Sequence, residues 1–224
     1  EMMSGVEITH CITGIGGTHI EGLNSRGIVA VTDKGKGNRE IDQQDIDRVI
    51  EAARAVVIPM DRCVMHVIPQ SYIVDDQRGI ADPHNVIGVR IEAEVHIITG
   101  SVTCIKNIVD CVKRANLQVA APMYHGLAAV ESVMTQEEQE LGSVLIDIGG
   151  GTTDIVVMSG GAPILTTVLP VGGGHATNDL AIVKGLSTET AEKVKITDGC
   201  CWQPLLDDNK SILISAPGGR APMQ

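Results

Sequence analysis

A run of glycines between two apolar segments constrains this chain more than any other feature. In VLIDIGGGTTDIVV, residues 144–157, a strand-like run reaches Asp147, breaks at Gly149, Gly150 and Gly151, and resumes beyond Thr152 and Thr153. Glycine weakens a strand because it loses the most backbone entropy and packs no side chain. A loose hairpin loop is one reason to tolerate it. Close approach of an anion is the other, because consecutive N–H groups without a Cβ form a nest for phosphate. The flanks favour the second reason. Asp147 ends the first strand, where a carboxylate can hold the hydrated Mg2+ that accompanies a nucleotide. Thr152 and Thr153 then offer hydroxyls to phosphate oxygens. The run lacks the GxxxxGK[ST] spacing of a P-loop, and a strand follows it where a dinucleotide fold needs a helix. A second cluster, TGIGGTH at 13–19, has neither an acid nor a following helix.

The surrounding pattern is mixed α/β. Residues 6–31 alternate in short strands between glycines, and 33–40 is a polar, glycine-rich loop. From Asp42 the spacing predicts a helix with Ile46, Val49, Ile50, Ala53, Val56 and Val57 on one face, closed by Pro59. Two alternating runs around 62–75 and 89–99 read as strands. Ser101 caps a helix with Ile105, Ile108, Val109 and Val112 as its stripe, and QVAAP reads as a strand. The segment 124–140 has the composition of one helix. A meander over 143–148, 153–158 and 164–170 follows. Then come two short helices, the first N-capped by Thr177 and the second capped near Thr188.

Composition narrows the function. Apolar residues make up 43% of the 224 and aromatics only 1%, with no Phe, so the core is aliphatic. The same lack excludes base-stacking platforms, and a net charge of -11 without a basic stripe excludes a phosphate-backbone partner. Cys11, Cys63, Cys104, Cys111, Cys200 and Cys201 show no CxxC spacing and read as reduced thiols of a cytosolic protein; no metal site is expected. No apolar run reaches a membrane span and no signal peptide opens the chain. The ends, Glu1 and GGRAPMQ, read as those of an internal piece of a longer protein.

DIGGGTTD at 147–154 resembles the second phosphate loop of the actin-like and heat-shock-chaperone ATPase superfamily. REIDQQDIDRVIEAARAV, VMHVIPQSYIVDDQRGI, GVRIEAEVHIITG, KNIVDCVKRANLQV and LGSVLIDIGGGTTDIVVMSGGA, with TNDLAI and AEKVKI, are similar to the FtsA family of bacterial cell-division proteins, over about residues 5–200. The resemblance implies an α/β, actin-like (ribonuclease H-like) ATPase fold with an FtsA-type inserted αβ subdomain, incomplete at both ends. Residues 1–15 and 100–127 would belong to the first actin-like subdomain and 16–99 to the insertion, a protein-interaction module. Residues 128–177 would form the second core subdomain and 178–224 part of a nucleotide-roofing lobe. Asp147, Gly149, Gly150, Gly151 and Thr152 would cradle the β- and γ-phosphates, with Asp147 turned to Mg2+ through water and Thr153 beside them. Glu192 and Lys195, three apart on one helical face, would meet ribose and base; the plain alternative is an exposed helix pair. Gly173 and Gly174 begin a turn that passes near the nucleotide in relatives, or simply enters a helix.

The implied function is an ATP- and Mg2+-dependent scaffold with at most weak ATPase activity. It would polymerise with itself, tether the FtsZ ring and recruit later division proteins through residues 16–99. It would work in the cytoplasm at the inner face of the cell membrane, reached by a C-terminal amphipathic helix absent from this chain. No nucleic-acid partner is implied. The alternatives are a pilus-assembly relative and a small-molecule kinase of the same superfamily. The pattern departs from the family in having no first phosphate loop and no late adenosine motif, both expected outside this piece. It also has His125 where filament-forming relatives often place a water-orienting Glu. Asp154 is a candidate substitute, or a turn-closing strand residue, and no catalytic residue is assigned.

Overall fold

The computed structural model describes residues 5, 7–31, 39–205 and 212. Most of the expected loop at 33–40, and all of GGRAPMQ, lie outside the described residues. The chain divides into two compact units, one of residues 1–147 and 154–169, the other of 148–153 and 170–224.

The first unit is built around a four-stranded sheet in the order β2-β7-β4-β5. Its strands are β2 (Glu21–Ala30), β4 (Arg62–Val74), β5 (Gln77–Ile80) and β7 (Arg90–Ser101), and every pair is antiparallel. Two short strands, β3 (Arg39–Glu40) and β6 (Ile87–Gly88), pair beside it. The period of two along β7 decides what each face touches. Ile91, Ala93, Val95 and Ile97 share a core with Ile46, Val49 and Ala53 of helix α1 (Gln43–Arg54). Ile98 points into a second core with Ile15, Tyr124, Val130, Leu145, Val156 and Met158. Pro69 lies inside β4 without breaking the sheet, because β4 bulges between Pro69 and Ser71 and β5 pairs only with its far end.

Helix α1 starts where its chemistry dictates. Asp42 accepts the Asp45 amide and Asp45 accepts the Asp42 amide, a reciprocal capping box. Burial pushes the Asp45 carboxyl up, but hydrogen bonds from Arg39 and Arg48 outweigh it and hold the group below its ordinary value. The helix ends sooner than its apolar spacing suggests. It stops at Arg54, so Val56 and Val57 leave the core and Val57 is 97% exposed. A run of β-branched residues leading into Ile58–Pro59 disfavours the α conformation.

Strands β1 (His10–Ile15) and β8 (Gln118–Tyr124) pair in parallel, with helix α2 (Val102–Arg114) capped by Ser101 as expected. The single helix expected over 124–140 is two. Helix α3 (His125–Val133) ends at Met134, and α4 (Gln136–Leu141) opens on a Thr135–Glu138 capping box, a local signal that overrides the continuous helical composition. The meander follows as β9 (Ser143–Ile148), β10 (Thr153–Ser159) and β11 (Ala162–Leu169), in the order β11-β10-β9.

The second unit carries the glycine loop after β9 and two helices, α5 (Gly173–Lys184) and α6 (Thr188–Asp198). Thr177 is not the N-cap of α5. The helix begins five residues earlier with Gly172 in that role, and Thr177 lies inside it, 3% exposed. Ser187 caps α6, one residue ahead of the expected position.

Candidate functional site

Within the second unit, two glycine turns are joined backbone to backbone. The Gly149 amide donates to the Thr152 carbonyl at 2.9 Å and closes the loop. The Gly173 amide donates to Gly149 O at 2.9 Å and the Gly174 amide to Gly150 O at 2.7 Å. This packing requires glycine in the second turn. A Cβ on Gly172 would stand 2.5 Å from Gly149 O and 2.8 Å from Gly150 C, and one on Gly174 would stand 2.9 Å from Gly150 O.

The first turn is open instead. Neither Gly150 nor Gly151 has a left-handed φ, and a Cβ on either would meet no heavy atom within 4 Å. Among the described residues, neither backbone strain nor packing accounts for them. Exposed backbone of this kind is compatible with an anion lying directly on it. The residues present therefore fit a phosphate.

The threonines divide. Thr152 is half-buried, whereas Thr153 is buried and its hydroxyl donates to the Val171 carbonyl at 2.7 Å, tying the two turns together. The start of α5 is not a free anion site, because the Gly173 and Gly174 amides are used on the first loop and the Gly172 amide donates to His175 Nδ1 at 3.1 Å.

Glu192 and Lys195 sit one turn apart on α6, 2.7 Å from each other, and face α5. Lys195 Nζ also donates to Gly173 O at 3.0 Å and to Thr177 Oγ1 at 2.8 Å. Its three N–H groups thus have three acceptors. The Thr177 hydroxyl in turn donates to Glu192 Oε2. The Lys195 ammonium first, and the Thr177 hydroxyl second, hold the Glu192 carboxyl below its ordinary value. The fold thus brings Gly149, Gly150, Gly151, Thr152, Thr153, Gly173, Gly174, Glu192 and Lys195 into one unit. Asp147, exposed at the end of β9, belongs to the other unit, two residues ahead of Gly149 in the chain.

In the first unit, His125 opens α3 and its Nε2 lies 2.8 Å from Asp154 Oδ2, off the axis along which an N–H would point. Asp154 is 2% exposed on β10 and accepts the Tyr124 hydroxyl at 2.8 Å. Burial first, then the hydrogen bond to Asp154 and the charges of Asp154 and Asp147, push the Tyr124 hydroxyl well above its usual range. Gly16, in the weaker glycine cluster, makes room for the His125 imidazole, which a Cβ there would overlap. Among the described residues no group of three His, Cys, Asp or Glu is arranged to hold a metal ion, and no helix is long and apolar enough to cross a membrane.

Comparison with known proteins fits these elements. Residues 17–99 match the model of the SHS2 domain inserted in FTSA, the region of the four-stranded sheet and α1. Residues 144–224 match the model of cell division protein FtsA. The cell division protein FtsA of Pseudomonas aeruginosa is 42% identical over 224 residues, all of this chain and 52% of the relative. The chain belongs to the FtsA family. The FtsA of Escherichia coli K12 is 37% identical over 99% of this chain and 52% of its own length, and that of Bacillus subtilis 40% identical over 87% and 44%. The chain spans about half the length of the FtsA relatives it matches. Among solved structures, a PilM-PilN type IV pilus biogenesis complex aligns with a TM-score of 0.51 and 19% identity, over 79% of this chain and 48% of that one. That likeness bears on the fold alone, which is the actin-like ATPase fold with the FtsA-type insertion.

Gly172 and Thr177 fall outside the site residues that the resemblance implies. The run of three glycines at 172–174 was a usable signal for the first. For Thr177 no local signal existed, since Thr before an apolar stretch reads as an N-cap and its partners lie 15 and 18 residues away.

Proposed function

We propose that this chain is the nucleotide-holding part of an actin-like cell-division scaffold. The observation that carries the proposal is the open face of Gly150 and Gly151, whose lack of side chains nothing among the described residues requires. In this reading the backbone of Gly149–Gly151 and the Thr152 hydroxyl bind the β- and γ-phosphates of ATP. Asp147 holds Mg2+ through water, and Glu192, braced by Lys195, serves the nucleoside end. Bound Mg2+ supplies neutralisation of phosphate charge. Gly173 and Gly174 fix the first loop through its carbonyls.

The wider reading rests on family membership. The full-length protein would polymerise on the inner face of the cell membrane, tether the FtsZ ring, and recruit later division proteins through the module at 16–99. The membrane contact would be made by an amphipathic segment elsewhere in the full-length chain. Hydrolysis, where it occurs, would be slow and would reset assembly.

The test compares full-length protein with its Asp147→Ala and Gly150→Ala variants for Mg-ATP binding and for polymerisation on lipid vesicles. Loss of binding in both variants, with melting temperatures unchanged, is the expected result. Equal binding by all three proteins removes the loop from the site. Steady phosphoryl transfer to a small-molecule acceptor would replace the scaffold reading with that of a kinase.

A further inference from the structure

The geometry points to Thr177 as a positioning residue that sets the nucleoside end of the site, an inference that rests on the nucleotide reading above. Thr177 lies one helical turn beyond Gly173 on α5 and is 3% exposed. A threonine hydroxyl has one proton to donate and lone pairs to accept with. Here Glu192 Oε2 is the nearer acceptor for that proton, with Gly173 O a longer alternative at 3.3 Å, and Oγ1 accepts from Lys195 Nζ at 2.8 Å. Both groups expected to serve ribose and base therefore meet on one buried hydroxyl of a different helix.

The arrangement assigns different tasks to its members. The Lys195 ammonium spends its donors on Gly173 O, Thr177 Oγ1 and Glu192 Oε2, so it acts as a brace and not as an open ligand contact. Glu192 has both of these bonds on Oε2, which leaves Oε1 to accept from a ligand hydroxyl. Thr177 thereby fixes the rotamer of the carboxylate that presents Oε1. Lys195, through Gly173, links that carboxylate to the turn that hydrogen-bonds Gly149. A side chain fixed before binding loses less entropy on binding, so the hydroxyl contributes to affinity without touching the ligand.

This role differs from simple stapling of α5 to α6. A staple supports the whole unit, so its loss weakens every ligand of the site alike. A positioning hydroxyl acts only on ligands that carry a nucleoside. The experiment uses full-length protein with Thr177→Val, which keeps the side-chain shape and removes the hydroxyl, and Thr177→Ser, which keeps the hydroxyl. Each is titrated with Mg-ATP and with Mg-tripolyphosphate, and melting temperatures are recorded. The expected result is about tenfold weaker ATP binding by Thr177→Val, from loss of hydrogen bonds to charged partners. Tripolyphosphate binding stays unchanged, and Thr177→Ser recovers most of the ATP affinity. Equal losses for both ligands, or no loss for either, would overturn the inference while leaving the glycine loop as the phosphate site. A wild-type protein that binds neither ligand would remove the nucleotide reading itself, and this inference with it.

Discussion

The hydroxyl of Tyr124 donates to Asp154 Oδ1 at 2.8 Å, joining the end of β8 to a carboxylate buried in β10. Asp154 follows the glycine loop directly in sequence, and its other oxygen lies 2.8 Å from His125 Nε2. This contact places the expected turn-closing aspartate in the interior, as an anchor of the strand that leaves the loop. Tyr124→Phe removes the donor and leaves a buried carboxylate oxygen unpaired. We expect a loss of about 1 to 3 kcal/mol in urea unfolding. An unchanged midpoint would show that the bond contributes nothing net.

Two glycine substitutions should separate packing from ligand approach. Gly172→Ala forces a methyl against Gly149 O and Gly150 C and should cost about 1 to 3 kcal/mol of stability, as overpacking does. Gly150→Ala meets no protein atom, so its stability should stay within about 0.5 kcal/mol of the parent. Nucleotide binding should fall in both. A Gly150→Ala protein that melts early would place the loop's glycine requirement in folding instead.

Gly27 is the point where β2 meets α1. A Cβ there would overlap the Val49 carbonyl and the Ala53 amide nitrogen. Gly27→Ala should destabilise the inserted module by about 1 to 3 kcal/mol, read by hydrogen exchange at α1 and β7. The exchange of α5 and α6 should not change.

Acid should weaken the first unit through two histidines. Burial lowers His96 to about 4, and it lowers His66 below its ordinary 6.5. His66 Nε2 accepts the Tyr124 amide at 3.0 Å, and the contacts of His96, Nδ1 to Asn24 Oδ1 at 2.6 Å and Nε2 to Thr166 Oγ1 at 2.9 Å, are satisfied by a neutral ring with its proton on Nδ1. Both rings are therefore neutral in the fold. The unfolded chain takes up protons first as pH drops below 6.5, so stability falls with pH from there toward 4. Melting temperatures should decline across that window and be level just above it. His96→Gln should flatten part of the decline, and a wild-type curve without slope would refute the neutral assignment.

Much of this fold was legible in local chemistry. The two long strands, the Ser101 cap, the meander and the start of α1 follow from period-two patterning and side chains that satisfy neighbouring amides. Such signals act within a few residues and need no tertiary partner. The early end of α1 and the break at Met134 were harder, because apolar spacing continues through the first and helical composition through the second, while a β-branched run and a capping box stop the helices.

By itself the sequence determined the glycine loop, its acid and hydroxyl flanks, and the family strings around it. These are contiguous, and their chemistry depends on order along the chain. Only the tertiary structure decided that Gly172 must lack a side chain, that Thr153 turns inward to Val171, and that Thr177 is a hub and not a cap. Each of those roles depends on an atom 15 or more residues away, and only close packing of the two glycine turns and of α5 on α6 brings that atom within hydrogen-bond reach.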